Sequence, residues 1–362
     1  MYQHGLLSTY RQAWRTRGAG AWIVGALFLI FYSLLYWGDR IGADWFNPLA
    51  ASLGLKNKWY LYGALYSLAM VLGGVYFLRR HGNNRYHRIR TTVLIAVQIL
   101  LAFLLPFIMP LFGQREFYFS YLWPLKIEYF YPSTIFEYPV LIVLYSLLGS
   151  LITLPLLAFF FGKRFYCSWF CGCGGLAETM GDSWRHLSNK STGAWRFEQI
   201  SIHTAMLLAL GTTAVVFANW AIGARYPTFQ RIAFEIQWYY GFVVGALLSG
   251  IAGVVFYPLL GSRVWCRFFC PMAAMLGLVQ KFGRFRISVK DDMCISCGNC
   301  STYCEMGIDV RAYAQNNQSF KRASCVGCGM CAHACPRGVL KLENKWDLLG
   351  DKARQKLPIL DL

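Results

Sequence analysis

Eight cysteines between positions 294 and 335 fall into two runs of one spacing. CISCGNCSTYC, residues 294–304, recurs 31 residues later as CVGCGMCAHAC, residues 325–335. Both read C-x2-C-x2-C-x3-C, a spacing that lays three thiolates on one face of an iron–sulfur cubane. The fourth cysteine of each run then reaches the other cluster. Cys294, Cys297, Cys300 and Cys335 are therefore assigned to one [4Fe–4S] cluster, and Cys325, Cys328, Cys331 and Cys304 to a second. Gly298, Gly327 and Gly329 let the backbone pass close to the sulfides. Zinc is the competing thiolate metal, but an even triplet with a crossed fourth ligand does not suit its closed tetrahedral sites. Such clusters move one electron at a time. Glu305 follows the first run where Pro336 follows the second, a departure that leaves the ligands intact.

Four more cysteines form a second repeat. GKRFYCSWFCG, residues 162–172, aligns with GSRVWCRFFCP, residues 261–271, at an offset of 99. Cysteines at i and i+4 share one face of a helical turn. Two facing copies would offer Cys167, Cys171, Cys266 and Cys270 to a soft or borderline metal such as iron or copper, and Cys173 adds a fifth thiol. Buried thiols packing helix ends, a disulfide, and a redox or metal site all stay open. Arg164 and Arg263 would either promote thiolate formation or snorkel to lipid headgroups.

The rest of the chain must carry these groups in a membrane. Hydrophobic residues make up 56% and charged residues 14%, against about 25% charged in a soluble domain. Charge is absent between Arg17 and Asp39, Lys58 and Arg79, Arg90 and Arg115, Glu137 and Lys163, Glu198 and Arg225, and Glu235 and Arg263. Each gap can span about 30 Å of hydrocarbon as a helix, and only helices pair every backbone group there. The predicted spans are 19–37, 59–78, 92–112, 139–161, 201–219 and 238–260. The first, with its basic flank of Arg11, Arg15 and Arg17, reads as a retained anchor rather than a cleaved signal.

The net charge of +18 reflects inner membrane flanks, not a nucleic-acid partner. Segments 1–18, 79–90, 162–199 and 261–362 hold 28 lysines and arginines, and the three alternate loops hold 7. The positive-inside rule places the first group, both termini and the ferredoxin tail on the cytoplasmic side of a bacterial inner membrane. Aromatic loops at 117–119 and 129–131 suit the opposite interface. No span contains a charge, which argues against an ion-coupled transporter. His203 and Gln98 are the polar residues within or beside spans. For His203, a haem ligand, a quinone hydrogen-bond donor and an interfacial histidine are the readings.

A duplicated C-x-x-x-C element after membrane spans, followed by two ferredoxin runs, resembles the membrane-bound polyferredoxin family of the NapH, NosR and CcoG type. The resemblance covers about 139–342. Gly172 departs from the family's proline, Cys173 is extra, and two spans precede the shared four-helix unit. The resemblance implies a cytoplasmic ferredoxin tail and a membrane part that exchanges electrons with quinol or a metal centre.

The expected fold is a membrane all-α unit of six transmembrane helices with a C-terminal α+β bacterial-type two-cluster ferredoxin domain. The expected divisions are 1–90 with two spans, 91–290 with four spans and the duplicated motif, 291–342 for the ferredoxin domain, and a polar tail at 343–362. After each fourth cysteine, 307–310 and 338–341 read as short strands, and 311–322 as a helical insert. The expected function is electron transfer between quinol or quinone and partner redox proteins, as a subunit of a quinol-linked oxidoreductase complex. The alternative is a copper or iron reductase, or metal-centre assembly factor, acting through the duplicated thiolates. A redox sensor is a third class. Neither G-x-x-x-x-G-K-[ST] nor G-x-G-x-x-G occurs.

Overall fold

Six helices are long and apolar enough to cross a membrane: α1 Gly18–Trp37, α2 Lys58–His81, α3 Arg85–Phe112, α4 Val140–Phe161, α5 Thr192–Arg225 and α6 Pro227–Val255. The computed structural model describes residues 18–345. The flank Arg11, Arg15 and Arg17 and the tail beyond 345 lie outside the described residues. At 1.5 Å per residue even the 20-residue α1 is about 30 Å long. Leu65, Leu68 and Leu72 on α2 and Leu207 and Leu208 on α5 are exposed, as lipid-facing side chains are.

Three helices begin earlier than the charge-free gaps predict. Asn84 accepts a hydrogen bond from the Tyr86 backbone N–H and caps α3. Ser191 does the same for Ala194 at the start of α5, and Pro227 opens α6. Caps set where a helix starts, whereas a charge gap marks only the stretch suited to hydrocarbon. At its far end α6 stops at Val255, and Tyr257–Leu260 is a separate turn. Within α3, α4 and α6 the helix widens to π-type turns at Gln98–Leu104, Gly149–Thr153 and Gly241–Ala252.

The duplicated motif folds twice in one way. Gly162 (φ 78°) and Gly261 (φ 98°) break the chain after α4 and α6. Short helices Arg164–Cys167 and Val264–Phe268 follow. Cys171 and Cys270 then sit as N-caps of Gly172–Glu178 and of α7, Pro271–Phe282. The two cysteines of a pair are thus not on one continuous helix. The second of each begins a new one.

The ferredoxin domain contains one two-stranded antiparallel sheet, β1 Phe285–Val289 with β2 Leu340–Asn344, in register from Phe285 opposite Asn344 to Val289 opposite Leu340. β1 lies before residue 291. Residues 307–310 form no strand: Gly307 turns at φ 68° and Val310–Gln315 is helical. A Cβ on Gly307 would fall 2.0 Å from the Arg267 guanidinium, so this stretch is pressed against the bundle end with no free edge to pair. Phe320 bridges to Ile287 instead.

One apolar core runs across both parts, from Tyr166, Trp265 and Leu276 to Phe285, Val326 and Leu340. Buried charges lock it. Arg90 pairs with Glu178 at 2.6 Å, and Arg263 pairs with Glu178 at 2.5 Å and with Glu305 at 3.1 Å. Arg185 pairs with Glu305 at 3.3 Å and with Asp182 at 2.9 Å. Burial disfavours the charge on Glu305, but Arg263 and Arg185 outweigh it and hold this carboxyl below the ordinary range. A depressed carboxyl contributes stability above its unfolded pKa and loses it as pH falls through the folded one.

Removing one partner of a buried pair costs about 3–5 kcal/mol. Glu305→Gln should therefore lower the thermal unfolding midpoint in detergent markedly. The exposed pair of Arg231 and Glu235 provides the contrast, since Glu235→Gln should cost under about 1 kcal/mol. Equal effects would show that the buried lock does not hold the two parts together.

Candidate iron–sulfur centre

The two ferredoxin runs form matching loops. Gly298 (φ 80°) and Gly329 (φ 81°) take the left-handed conformation immediately before the helices Asn299–Thr302 and Met330–His333. These helices carry Cys300 and Cys331. Cys294, Cys297, Cys300 and Cys335 line one cradle, closed by Ile295 and Val339. The Val339 N–H lies 3.4 Å from the Cys335 sulfur. In the other set Cys304 is an electrostatic neighbour of Cys325 and Cys331. Each triplet is thus brought together with the fourth cysteine of the other run.

These residues fit a [4Fe–4S] cluster by their chemistry. Each set is four soft donors. Burial pushes the Cys300 and Cys325 thiols up to about 11, so thiolates there call for a bound cation. Among the described residues no three His, Cys, Asp or Glu side chains are grouped as a single metal ion requires. A cubane carries one thiolate on each iron and asks for wider spacing.

The sets face opposite ways. Cys297 is exposed, with the exposed Arg311 and Arg337 at the rim of its cradle. The set of Cys325, Cys328 and Cys331 faces the bundle. Arg90 donates to the Cys328 carbonyl at 2.5 Å, and the Arg185 guanidinium lies 3.9 Å from the Cys328 sulfur. Ser168, inside the first C-x-x-x-C element, donates to the Val326 carbonyl at 2.9 Å.

The five other thiols gather beneath this contact. Cys167, Cys171, Cys266 and Cys270 are buried in the shared core with Cys173 against them. Burial pushes Cys167 up to about 12. A hydrogen bond with Cys173 pulls Cys171 down to about 7. Arg263 reaches the Cys266 sulfur at 3.7 Å and the Cys167 carbonyl at 3.2 Å. It is fully buried and does not snorkel. Arg164 instead lies over the Phe285 ring at 4.8 Å.

Gln98 braces the first element, donating to the Phe170 carbonyl at 2.5 Å and accepting from Tyr66 at 3.2 Å. The His203 ring meets the Gln199 carbonyl one turn back on the exposed side of α5. Sequence reasoning missed Arg90, Glu178 and Arg185. It also missed a ring cluster in which His81 bridges Asp182 and His333, at 3.3 Å to each. Only Glu305 carried a signal, as the residue in place of proline.

Comparison with known proteins agrees with this geometry. A 4Fe-4S dicluster domain matches residues 286–336, and a 4Fe-4S binding domain matches 143–191 and 243–290. The chain is 26% identical over 153 residues to YccM of Escherichia coli (strain K12), a protein named for electron transport, covering 41% of this chain and 43% of that one. It is 28% identical over 167 residues to the methylamine utilization ferredoxin-type protein MauN of Paracoccus denitrificans, covering 44% and 54%. MauN of Methylobacillus flagellatus is 27% identical, over 40% and 50%. The chain thus spans about half the length of the curated relatives it matches. No solved structure matches. Over these regions the chain is similar to ferredoxin-type and electron-transport proteins, and nothing in the likeness singles out the NapH, NosR or CcoG type. The cofactors are two [4Fe–4S] clusters, in a chain with six apolar helices of membrane-spanning length.

Hydrogen bonds and positive charge at cluster sulfurs raise the reduction potential. Arg185→Leu should lower the potential of the inner cluster and leave the outer one unmoved. A loss of about 1.4 kcal/mol corresponds to about 59 mV for one electron. Redox titration followed by EPR would read the shift; two unshifted potentials would remove Arg185 from this role.

Proposed function

We propose that this protein transfers electrons between quinol or quinone in a bacterial inner membrane and partner redox proteins. Cys294, Cys297, Cys300 and Cys335 would hold the outer cluster, and Cys325, Cys328, Cys331 and Cys304 the inner one. When bound, the clusters supply one-electron chemistry, and two of them match the two electrons of a quinol. The observation that carries this reading is the order of the parts. The inner thiol set is held against the bundle by Arg90, Arg185 and Ser168, while the outer set reaches the surface at Cys297.

Arg311 and Arg337 at that surface would steer an acidic partner. The excess of lysine and arginine at 79–90, 162–199 and beyond 261 supports a cytoplasmic ferredoxin domain and cytoplasmic termini. The electron-transport name of the Escherichia coli relative agrees with this function, and the finer likeness to the NapH, NosR and CcoG type bears on the quinol. The copper or iron reductase reading would place an ion at Cys167, Cys171, Cys266 and Cys270, which share one buried core.

The test is anaerobic purification in mild detergent, with iron, sulfide and copper counted and EPR recorded on stepwise addition of a quinol analogue. About eight iron and eight sulfide are expected, with signals that grow on reduction. Fewer than about four iron in protein kept from air would end the two-cluster assignment. Copper lost in a Cys167→Ser/Cys266→Ser variant would revive the reductase.

A further inference from the structure

One chain of polar contacts joins water to the inner thiol set. His81 ends α2, and its side chain is 13% exposed. Its Nε2 lies 3.3 Å from Asp182 Oδ2. The other oxygen of that carboxylate, Oδ1, accepts from Arg185 Nε at 2.9 Å. The Arg185 guanidinium then lies 3.9 Å from the Cys328 sulfur. Asp182 and Arg185 are both buried, so water meets this chain at its histidine end.

The groups around His81 come from four elements. Arg80, on α2 itself, reaches Asp182 at 3.6 Å. From α3, the His87 ring lies 6.3 Å away, and Arg90 stands beyond the Phe77 ring on which His81 packs. Asp182 and Arg185 come from the α4–α5 connection. His333, on the ferredoxin helix Met330–His333, places its Nε2 3.3 Å from His81 Nδ1.

Most of these groups have a fixed charge. An arginine does not lose its proton in a protein. Burial disfavours the charge on Asp182, but the hydrogen bond with His81 and the charge of Arg185 outweigh it and hold this carboxyl below its ordinary range. His87 is buried and neither of its ring nitrogens has a hydrogen-bond partner, so a charge there would be unpaired and costly. His81 instead combines water access with a carboxylate partner. An ionised carboxylate only accepts, so Nε2 carries the ring hydrogen and Nδ1 is the nitrogen left to take a proton. Histidine is also the side chain that ordinarily changes charge between about pH 5 and pH 8.

Asp182 is one negative charge with three claimants: Arg185, Arg80 and His81. While His81 is neutral, the carboxylate offsets much of the Arg185 charge. A protonated His81 draws on the same carboxylate and leaves more of that charge facing the Cys328 sulfur. Positive charge at a cluster sulfur favours the reduced cluster. Coupling of this kind is reciprocal, so an added electron there favours the proton on His81.

We propose that His81 takes up a proton from water as the inner cluster is reduced, with Asp182 and Arg185 carrying the coupling to the Cys328 sulfur. His81 Nδ1 gains one proton, His333 Nε2 accepts its hydrogen bond, and a redox partner supplies the one electron. The proposal rests on the electron-transfer reading above and adds a proton to the electron that enters the inner site.

The test is a redox titration of the anaerobically purified, iron-replete protein, followed by EPR between about pH 5 and pH 8. One of the two potentials should fall as pH rises while the other stays level. The fall should be up to about 59 mV per pH unit, the one-electron equivalent of a tenfold change in proton concentration. His81→Gln keeps a donor for Asp182 but takes no proton, and should flatten the slope. Two level potentials, two that fall alike, or a slope kept in His81→Gln overturns the proposal. Should His81→Gln not fold, carbethoxylation of the unaltered protein, read by mass spectrometry at neutral pH, decides. Photoreduction should slow the reaction of His81 severalfold and leave that of the exposed His203 on α5 unchanged; equal rates at His81 overturn the proposal. Both EPR signals present with no slope leave the electron-transfer reading standing, whereas missing clusters would sink that reading itself.

Discussion

Four arginines are buried where the ferredoxin domain meets the helix bundle, and three of them, Arg90, Arg185 and Arg263, share one set of buried carboxylates. Arg90 comes from α3, Arg185 from the α4–α5 connection and Arg263 from the turn after α6. Their carboxylates are Glu178 beside the first thiol pair, Asp182 one turn on, and Glu305 of the ferredoxin domain. The α4–α5 connection carries both signs, yet its Arg185 also pairs with Glu305 of the ferredoxin domain and its Glu178 with Arg90 and Arg263 of other segments. An unpaired charge at such depth costs several kcal/mol, so the bundle end and the ferredoxin domain must assemble together. That lock also places the Cys328 sulfur and the Cys266 sulfur each beside a guanidinium.

The internal repeat explains why the lock is lopsided. Arg164 and Arg263 hold equivalent places in the two copies, yet only Arg263 enters the network. Arg164 is turned onto Phe285. Likewise Arg267 in the second copy pairs with Glu198 at 2.7 Å, where the first copy has Ser168 on the Val326 carbonyl. A single ferredoxin domain covers two similar ends, so each copy meets a different part of it. Side chains diverged accordingly, while the glycine break and the cysteine caps were kept.

Much of this was legible in the sequence because local rules govern it. Charge gaps located all six long helices, since hydrocarbon tolerates no unpaired charge. Cysteine spacing marked both ferredoxin runs, which fold as matching loops around Gly298 and Gly329. Helix starts failed at α3, α5 and α6, where Asn84, Ser191 and Pro227 decide. The strand expected at 307–310 failed because Gly307 is packed onto Arg267, a contact between residues far apart in the chain. Arg90 and Glu178 carry no local signal of their burial. Only the knowledge that another domain covers that end makes them buried partners.

Glu305 shows how a local irregularity can report a tertiary one. In the second run the fourth cysteine is followed by proline, which fixes the turn by its own ring and needs no partner. In the first run a carboxylate holds the equivalent place and is buried against Arg185 and Arg263. Ser188 also donates to its backbone carbonyl at 2.5 Å. A residue that ordered only its own turn would not need a charge, and one at the surface would not be buried. The substitution makes sense only if this side of the domain faces the bundle and the proline side, with Arg337 beside it, faces water. The polarity of the ferredoxin domain is therefore written at a single position, and it sets which thiol set lies nearest the helix bundle.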